Sequence, residues 1–556
     1  MIPTVKISSR LKFCIWTVTL CVWLAEALAA RGPLDADAIS YLNIAHSCLG
    51  GNWHALVNGW WSPGYPFLLT IWLKIFHPSV FQEARAMHLF AFFSLLVALL
   101  SFEYFLSVFQ MFCKQREEQE IEAKGEALSE DAVWLMGYSL FFWITTFFTP
   151  PSLEQPDILV FILYLIASAL CVQLSYRQEW WRYALLGLVL GLGYLVKAVM
   201  LPIGFVFLFA LFCQKGRWTI LPRLVLSTAI FVAVSLPFCL ELSRSKGHFT
   251  FSDVGTLAYR HVMGFDVETQ PPSAASVPAA TPHVADYSSM IQLGTYPPWA
   301  DPSYGFKGAP FRFDFRRQVE RTHVVLRGYF DIYVVRLGAL FCGLLVLVFL
   351  GEVRLFASRF LRQVVLWLPA VAGLAFYATM RFDDRFLAGY TIALFAACIA
   401  SLRIGELPGK PNLAGSVALA VSSVLFVQAA VQAGHEGIKL LRQAQHADWQ
   451  VADALHRVGI KPEDRVSYMG YTLGDHSWAY VAGTRIVAEI PEEDVSNFWA
   501  AGNARRAEVL RWIESTGAKA LVTHEVPEMA MPMGWRRVGD TDYYILAFSE
   551  TPRSTQ

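Results

Sequence analysis

Apolar runs dominate this chain, and the polar positions between them fall into short clusters with two long exceptions. The first run ends near Ala30. Others follow at about Ala86–Phe112, Val133–Phe148, Ile158–Leu174, Ile220–Leu240, Leu337–Leu350, Val364–Thr379, Phe386–Leu402 and Leu413–Val431, with two more in Tyr183–Phe212, broken near Lys197. These runs reach or approach the ~20 residues that cross a bilayer, so the pattern predicts a polytopic α-helical membrane protein with about 11 transmembrane helices. Gly64–Phe76 is apolar but short, and is expected to be re-entrant or interfacial. Two readings of the first run stay open. With Lys6, Arg10 and Lys12 before it and Ala27-Leu28-Ala29 at its end, it suits a signal peptide or a retained span. Both put the following loop outside.

Basic residues give the direction. The N-terminus and segments 113–132, 175–182, 213–223, 351–363 and 403–412 hold most of the loop Lys and Arg, including Lys114, Arg116, Lys124, Arg177, Arg217, Arg354 and Lys410. The short loops on the other side hold Arg31, Arg381 and Arg385. Positive loops stay inside, which predicts an internal N-terminus, an external C-terminus and, in a bacterial source, a multi-pass plasma (inner) membrane protein with its active face outward.

The two long exceptions are segment 241–336 and the tail. The first has a Pro-, Ala-, Ser- and Thr-rich middle, Gln270–His283, that reads as a flexible insertion, and an amphipathic pattern near Val254–Phe265. The tail, 434–556, alternates helical spacing (VADALHRVGI, AEVLRWIESTGA) with short strand-type runs (RVSYMGY, TRIVAEI, KALVTHE, YYILAF). That alternation predicts a small extracytoplasmic α/β domain. No Gly-rich phosphate fingerprint opens its first helix. The expected division is a transmembrane domain at 1–433, with an outer catalytic loop at 31–66 and the long outer loop 241–336, followed by the tail.

Composition agrees. The chain has 556 residues, 55% hydrophobic and 16% charged, against about 25% charged in soluble proteins. Mean hydropathy is +0.41. The 45 basic and 45 acidic residues cancel, so charge gives no sign of nucleic acid as a partner. Most of the nine cysteines lie in apolar runs and no C-x-x-C pair occurs, so neither a disulfide framework nor a Cys-zinc site is indicated.

Four outer clusters carry candidate chemistry. Asp35 and Asp37 precede Tyr41, His46, His54 and the turn WWSPGYP. On an extended strand the two carboxylates would share a face; alternatively Asp35 caps a helix Ala36–Leu49 with Asp37 in its first turn. A partly shielded carboxylate can act as general base. TPPSLEQPD places Glu154 and Asp157 at the outer mouth, with Asp157 open to capping the next run, which does not exclude a ligand role. Lys197 sits between apolar runs, where an ionisable group is costly, as a snorkelling lysine or a cation for a phosphate. RFDDRF holds Arg381 and Arg385, suited to phosphate binding with internal ion pairing, or read as ordinary solvated loop charge. Carboxylates and cations at one face suit an anionic headgroup on a lipid tail.

These residues together resemble the C-type membrane glycosyltransferases, in the branch of bacterial lipid A aminoarabinose transferases and protein O-mannosyltransferases. The resemblance rests on Asp37, Tyr41 and Ala45, then Gly50/Gly51 and Trp61–Pro66, on Gln155-Pro156-Asp157, on Gly193–Lys197 and on Arg381–Leu387. It covers about Arg10–Leu402. It implies a polyprenyl-phosphate sugar donor and a lipid, glycan or protein acceptor whose hydroxyl is deprotonated by a first-loop acid before inverting attack. The spacing carries the base onto Asp37, with Asp35 as understudy because the family's Asp-Glu pair is missing. Lys197, Arg381 and Arg385 carry over as donor-phosphate contacts, and Asp157, Glu154 and Tyr41 as acceptor or metal support. No cofactor is certain; a divalent metal stays open. A transporter or flippase of lipid-linked glycans is the alternative, although its binding groups would sit nearer the midplane. A membrane scaffold is a third reading and leaves the acidic first loop unexplained.

Overall fold

The computed structural model describes residues 9–29, 34–119, 127–215, 218–265, 282–308, 312–351, 353–404, 413–442, 447–528 and 534–548. The flexible insertion expected at Gln270–His283 lies, up to residue 281, outside the described residues. So do Lys6, Arg31, Lys124, Arg217 and Lys410 of the charge count.

Helices form where the apolar runs predict them. Their ends follow local chemistry: Ser129 accepts a hydrogen bond from Ala132 N at the start of Glu130–Phe147, and Gly247 takes a left-handed φ of 73° to end Leu221–Lys246. Six described helices are long and apolar enough to cross a membrane, and eight if each bent pair counts as one span. Of the other five apolar runs, Glu130–Phe147 opens on two acidic residues that lower its apolarity, those of Trp180–Val196 and Met200–Gln214 are short, and two fall in helix pairs, Phe315–Arg336 with Gly338–Phe349 and Val353–Leu361 with Val364–Ala378, that bend by 74° and 81°. The helix Glu83–Gln119 has 37 residues, about 55 Å at 1.5 Å per residue. It overreaches a hydrocarbon layer of about 30 Å, so its ends carry charge: Glu83 at one, Lys114, Arg116 and Glu117 at the other.

Two features position the outer face. Helices Ala36–Leu49 and Gly64–Phe76 pack together through Leu42, Tyr65, Leu69 and Leu73. The second of them also abuts the break at Lys197. A Cβ on Gly64 would stand 2.9 Å from Leu195 O and 3.1 Å from Val196 Cα, so only glycine permits that approach. Phe67, Ile71, Ile75 and Phe76 on its other side are exposed.

The tail forms a mixed sheet of six strands: β1 (Ala285–Asp286), β2 (Arg465–Gly470), β3 (Arg485–Pro491), β4 (Ala520–Thr523), β5 (Arg536–Arg537) and β6 (Tyr544–Ala547), in the order β1-β3-β2-β4-β6-β5. Strands β3, β2 and β4 are parallel, buried on both faces by helices such as Ala447–Arg457 and Asn503–Ser515. The last apolar helix, Leu413–Arg442, runs on past Gly434, so the sheet-bearing region starts at Ala447 rather than at 434. Strand β1 does not belong to the tail in sequence. It comes from the long outer segment and pairs antiparallel to β3, Ala285 opposite Glu489 and Asp286 opposite Ala488.

Candidate active site

The first loop is helical. Asp35 stands in extended conformation before Ala36–Leu49, and its Oδ1 accepts from Asp37 N at 3.1 Å, an N-cap. Its Oδ2 accepts from Gln155 Nε2 at 2.9 Å, and its backbone N–H donates to Glu154 Oε2 at 3.0 Å. Glu154, buried, uses its other oxygen on His88 Nε2 at 2.9 Å. Asp35 and Glu154 therefore anchor the start of this helix to the 149–157 turn.

Asp37 occupies the first helical turn and faces a different set of groups. Its Oδ1 accepts from the Trp299 indole N–H at 3.1 Å, and its Oδ2 lies 3.8 Å from an Arg385 guanidinium nitrogen. Burial pushes its carboxyl up to about 6, and the Asp35 charge adds to this; Arg385, the Trp299 hydrogen bond and Lys197 oppose it. Tyr41, one turn on and on the same face, is buried in edge contacts with Tyr65 at 4.7 Å and Trp61 at 4.9 Å between centroids. His46 is nine positions from Asp37, which at about 100° per residue points it the opposite way. It bonds Glu83 at 2.7 Å. His54 is exposed.

Asp157, at the first turn of Asp157–Leu174, is 3% exposed and receives Lys197 Nζ on Oδ1 at 2.5 Å. Lys197 lies where the chain leaves Trp180–Val196 in extended conformation before Met200–Lys215. It is in no helix interior, and its ammonium rests 3.9 Å from the Phe386 ring centroid. Arg385 closes the cluster. Its Nε is 3.9 Å from Asp157 Oδ2 and 3.0 Å from Asp383 Oδ2, yet makes no aligned hydrogen bond, and Asp157 Oδ2 is likewise buried without one. Both residues also line a small cavity together with Phe161, Tyr164, Tyr377, Phe386 and Tyr390. Arg381 is not part of this cluster: it is 63% exposed and only grazes Asp383 at 4.0 Å.

The arrangement joins a shielded carboxylate, Asp37, to two cations, Lys197 and Arg385, through a guanidinium shared by Asp37, Asp157 and Asp383. A shielded carboxylate thus sits beside half-buried cations that retain unused hydrogen-bonding capacity. Among the described residues no three His, Cys, Asp or Glu side chains gather as a metal would require; Glu154 and Asp157 are held by separate partners. Sequence reading missed Trp299 and His88, and it named Gln155 and Phe386 only as motif positions, without the contacts to Asp35 and Lys197. Trp299 had a visible signal, the aromatic turn Tyr-Pro-Pro-Trp within a hydrophilic segment.

The helical body with a mixed sheet at its C-terminal end is a fold that the chain shares with two solved membrane-enzyme structures. Along almost its entire length the chain is similar to ArnT from Cupriavidus metallidurans. With the form bound to undecaprenyl phosphate it shares 12% identity over 99% of this chain and 100% of that one, with a TM-score of 0.53. With the apo form the values are 11%, 96%, 97% and 0.51. The Archaeoglobus fulgidus oligosaccharyltransferase in complex with Zn and sulfate aligns at 13% identity over 91% of this chain and 68% of that one, with a TM-score of 0.50. No family model and no curated sequence matches the chain.

Proposed function

We propose that the protein is an inverting glycosyltransferase that moves a sugar from a polyprenyl-phosphate donor to an acceptor hydroxyl at the outer face of the membrane. The observation that carries this reading is the Asp37 carboxylate, partly shielded and sharing Arg385 with the Asp157–Lys197 ion pair. The similarity in fold to an ArnT that binds undecaprenyl phosphate supports it.

In this reading Asp37 takes the proton of the acceptor hydroxyl. The freed oxygen pair attacks the anomeric carbon, the bond from that carbon to the phosphate oxygen breaks, and the lipid phosphate leaves with the bonding pair. Lys197 and Arg385 meet the charge that grows on the leaving phosphate. Cations already fixed in a site of low water content stabilise that charge without reorganising. Asp157 holds both cations in place, and Tyr41 walls the base. Asp35 and Glu154 fix the helix that carries Asp37. The chain lies in a plasma membrane with about eleven crossings, the short helices included, and with its active face and C-terminal domain outside.

The test uses purified full-length protein in lipid nanodiscs with a panel of undecaprenyl-phosphate-linked sugars, scored by release of undecaprenyl phosphate. Wild type is expected to release it, Asp37→Asn to abolish release, and Asp35→Asn to retain part of it, because an N-cap amide still accepts the Asp37 N–H. Release that is equal in wild type and Asp37→Asn removes the base from this reading. Absence of release with every donor removes the reading itself.

A further inference from the structure

The outer segment from Val284 to Tyr304 touches both halves of the molecule. Toward the C-terminal domain, β1 pairs with β3, Tyr287 N donates to Val487 O at 2.7 Å, and Ile486 N donates to Thr295 O at 2.9 Å. The Tyr287 and Tyr296 hydroxyls both donate to Glu489 of β3, at 2.7 and 3.0 Å. Toward the first loop, the turn Pro297–Ala300 sits on helix Ala36–Leu49. The Trp299 carbonyl accepts from Ser40 Oγ at 3.0 Å and from the Trp61 indole at 3.1 Å, and the Ala300 carbonyl accepts from Asn58 Nδ2 at 3.1 Å. The Trp299 ring lies 5.6 Å from Trp60 and 5.9 Å from Trp61. Backbone and ring are thus fixed independently, and the one polar atom of the side chain reaches Asp37 Oδ1 at 3.1 Å.

We infer that Trp299 is a positioning residue for the Asp37 carboxylate, and that the C-terminal domain sets the geometry of that base through the segment 284–304. The inference rests on the reading of Asp37 as general base. Asp37 is faced by Asp35 from its own helix cap, Tyr41 from the next turn, Arg385 from the loop before Ala388–Ser401, Lys197 from the helix break and Trp299 from this segment. Among the described residues, only Trp299 bonds an Asp37 oxygen within hydrogen-bond distance from another part of the chain; Arg385 stands off at 3.8 Å. The indole leaves Oδ2 as the oxygen free to take a proton on the cation side. Without it the carboxylate turns freely and its anionic form loses a donor.

The experiment compares full-length wild type, Trp299→Phe and Tyr287→Phe/Tyr296→Phe in nanodiscs with whichever undecaprenyl-phosphate sugar the wild type turns over. Trp299→Phe is expected to lower kcat about tenfold and to move the acid limb of the pH profile up by about one unit, with donor KM unchanged. The tyrosine pair, remote from Asp37, is expected to shift the same limb in the same direction by less. Protein labelled with 5-fluorotryptophan gives a readout free of turnover: the resonance lost in Trp299→Phe titrates near pH 6 and is flat in Asp37→Asn. An active enzyme in which Trp299→Phe keeps the wild-type kcat and acid limb, or whose Trp299 resonance ignores pH, overturns this inference alone. A wild type that turns over no donor overturns the function on which it rests.

Discussion

Lys197 Nζ and Asp157 Oδ1 stand 2.5 Å apart at a helix break, with Asp157 almost wholly buried and Lys197 open on one side. The ammonium also rests against the Phe386 ring, so the lysine is held by one carboxylate and one ring while keeping donors free. Removing it leaves a buried carboxylate with only a distant Arg385. Breaking such a pair from one side costs about 3–5 kcal/mol. Lys197→Met is therefore expected to lower Tm and to abolish turnover. Lys197→Met/Asp157→Asn should recover most of the Tm and none of the turnover, because the buried charge is gone while the phosphate cation is still missing. Thermal unfolding and undecaprenyl-phosphate release on the same preparations check this.

The raised Asp37 carboxyl couples stability and activity with opposite signs. Its folded value near 6 lies above the ordinary 3.8, so the folded protein binds more protons than the unfolded chain between those values. Stability at this site is complete below about pH 4 and is lost as pH rises through 6. Activity should do the reverse, since only the ionised form accepts a proton. Asp37→Asn is expected to be more stable than wild type at pH 7.5, by on the order of 2–3 kcal/mol, and equal to it near pH 4. Denaturant unfolding at the two pH values measures the gap.

Arg385 and Arg381 belong to one short loop yet should behave differently. Arg385 is 15% exposed and lies between three carboxylates; Arg381 points to solvent. Arg385→Lys replaces a planar group that reaches Asp37, Asp157 and Asp383 by a point charge that cannot span them. Turnover is expected to fall about 10- to 100-fold. Arg381→Ala should change it less than about threefold. Donor titrations of kcat/KM for both variants separate the two.

Much of this arrangement was legible in the chain because apolar runs and charge pairs are local signals. The first-turn Asp37, the Lys197 break and the RFDDRF loop announced themselves by polar residues in places where polar residues are costly. What was hidden is what sequence distance hides. Asp35 reads equally as a second base or as a cap until Gln155 and Glu154 are seen to hold it. Trp299 is 262 positions from Asp37, and β1 joins a sheet whose other strands begin at Arg465. The two-residue strand has no periodicity to detect, and its partner lies in another domain. The crossing number was blurred for a different reason. Apolarity marks burial in protein as well as in lipid, and in short or bent helices length and composition do not separate the two.

Glu83 ties the two domains together and makes their contact sensitive to pH. It is buried at the start of the longest helix and accepts from the Tyr480 hydroxyl of the C-terminal domain and from His46 Nε2 at 2.7 Å. The Glu83 hydrogen bond raises the His46 imidazole above its ordinary 6.5, more than burial lowers it. A histidine raised in the folded state contributes stability that is complete below 6.5 and lost as pH climbs through the higher folded value. The wild-type protein is therefore expected to lose Tm as pH rises above 6.5, and His46→Gln to lose less over the same range. Tyr480→Phe removes a donor from a buried carboxylate, about 1.5–3 kcal/mol. It should loosen the helix Ser477–Val481 and its contact with Leu34, whose backbone N–H donates to Ser477 Oγ at 3.3 Å. Hydrogen exchange should then rise in Ser477–Val481 and at the start of Ala36–Leu49 together. A rise confined to the C-terminal domain would mean that Glu83 anchors that domain without transmitting its position to the helix that carries Asp37.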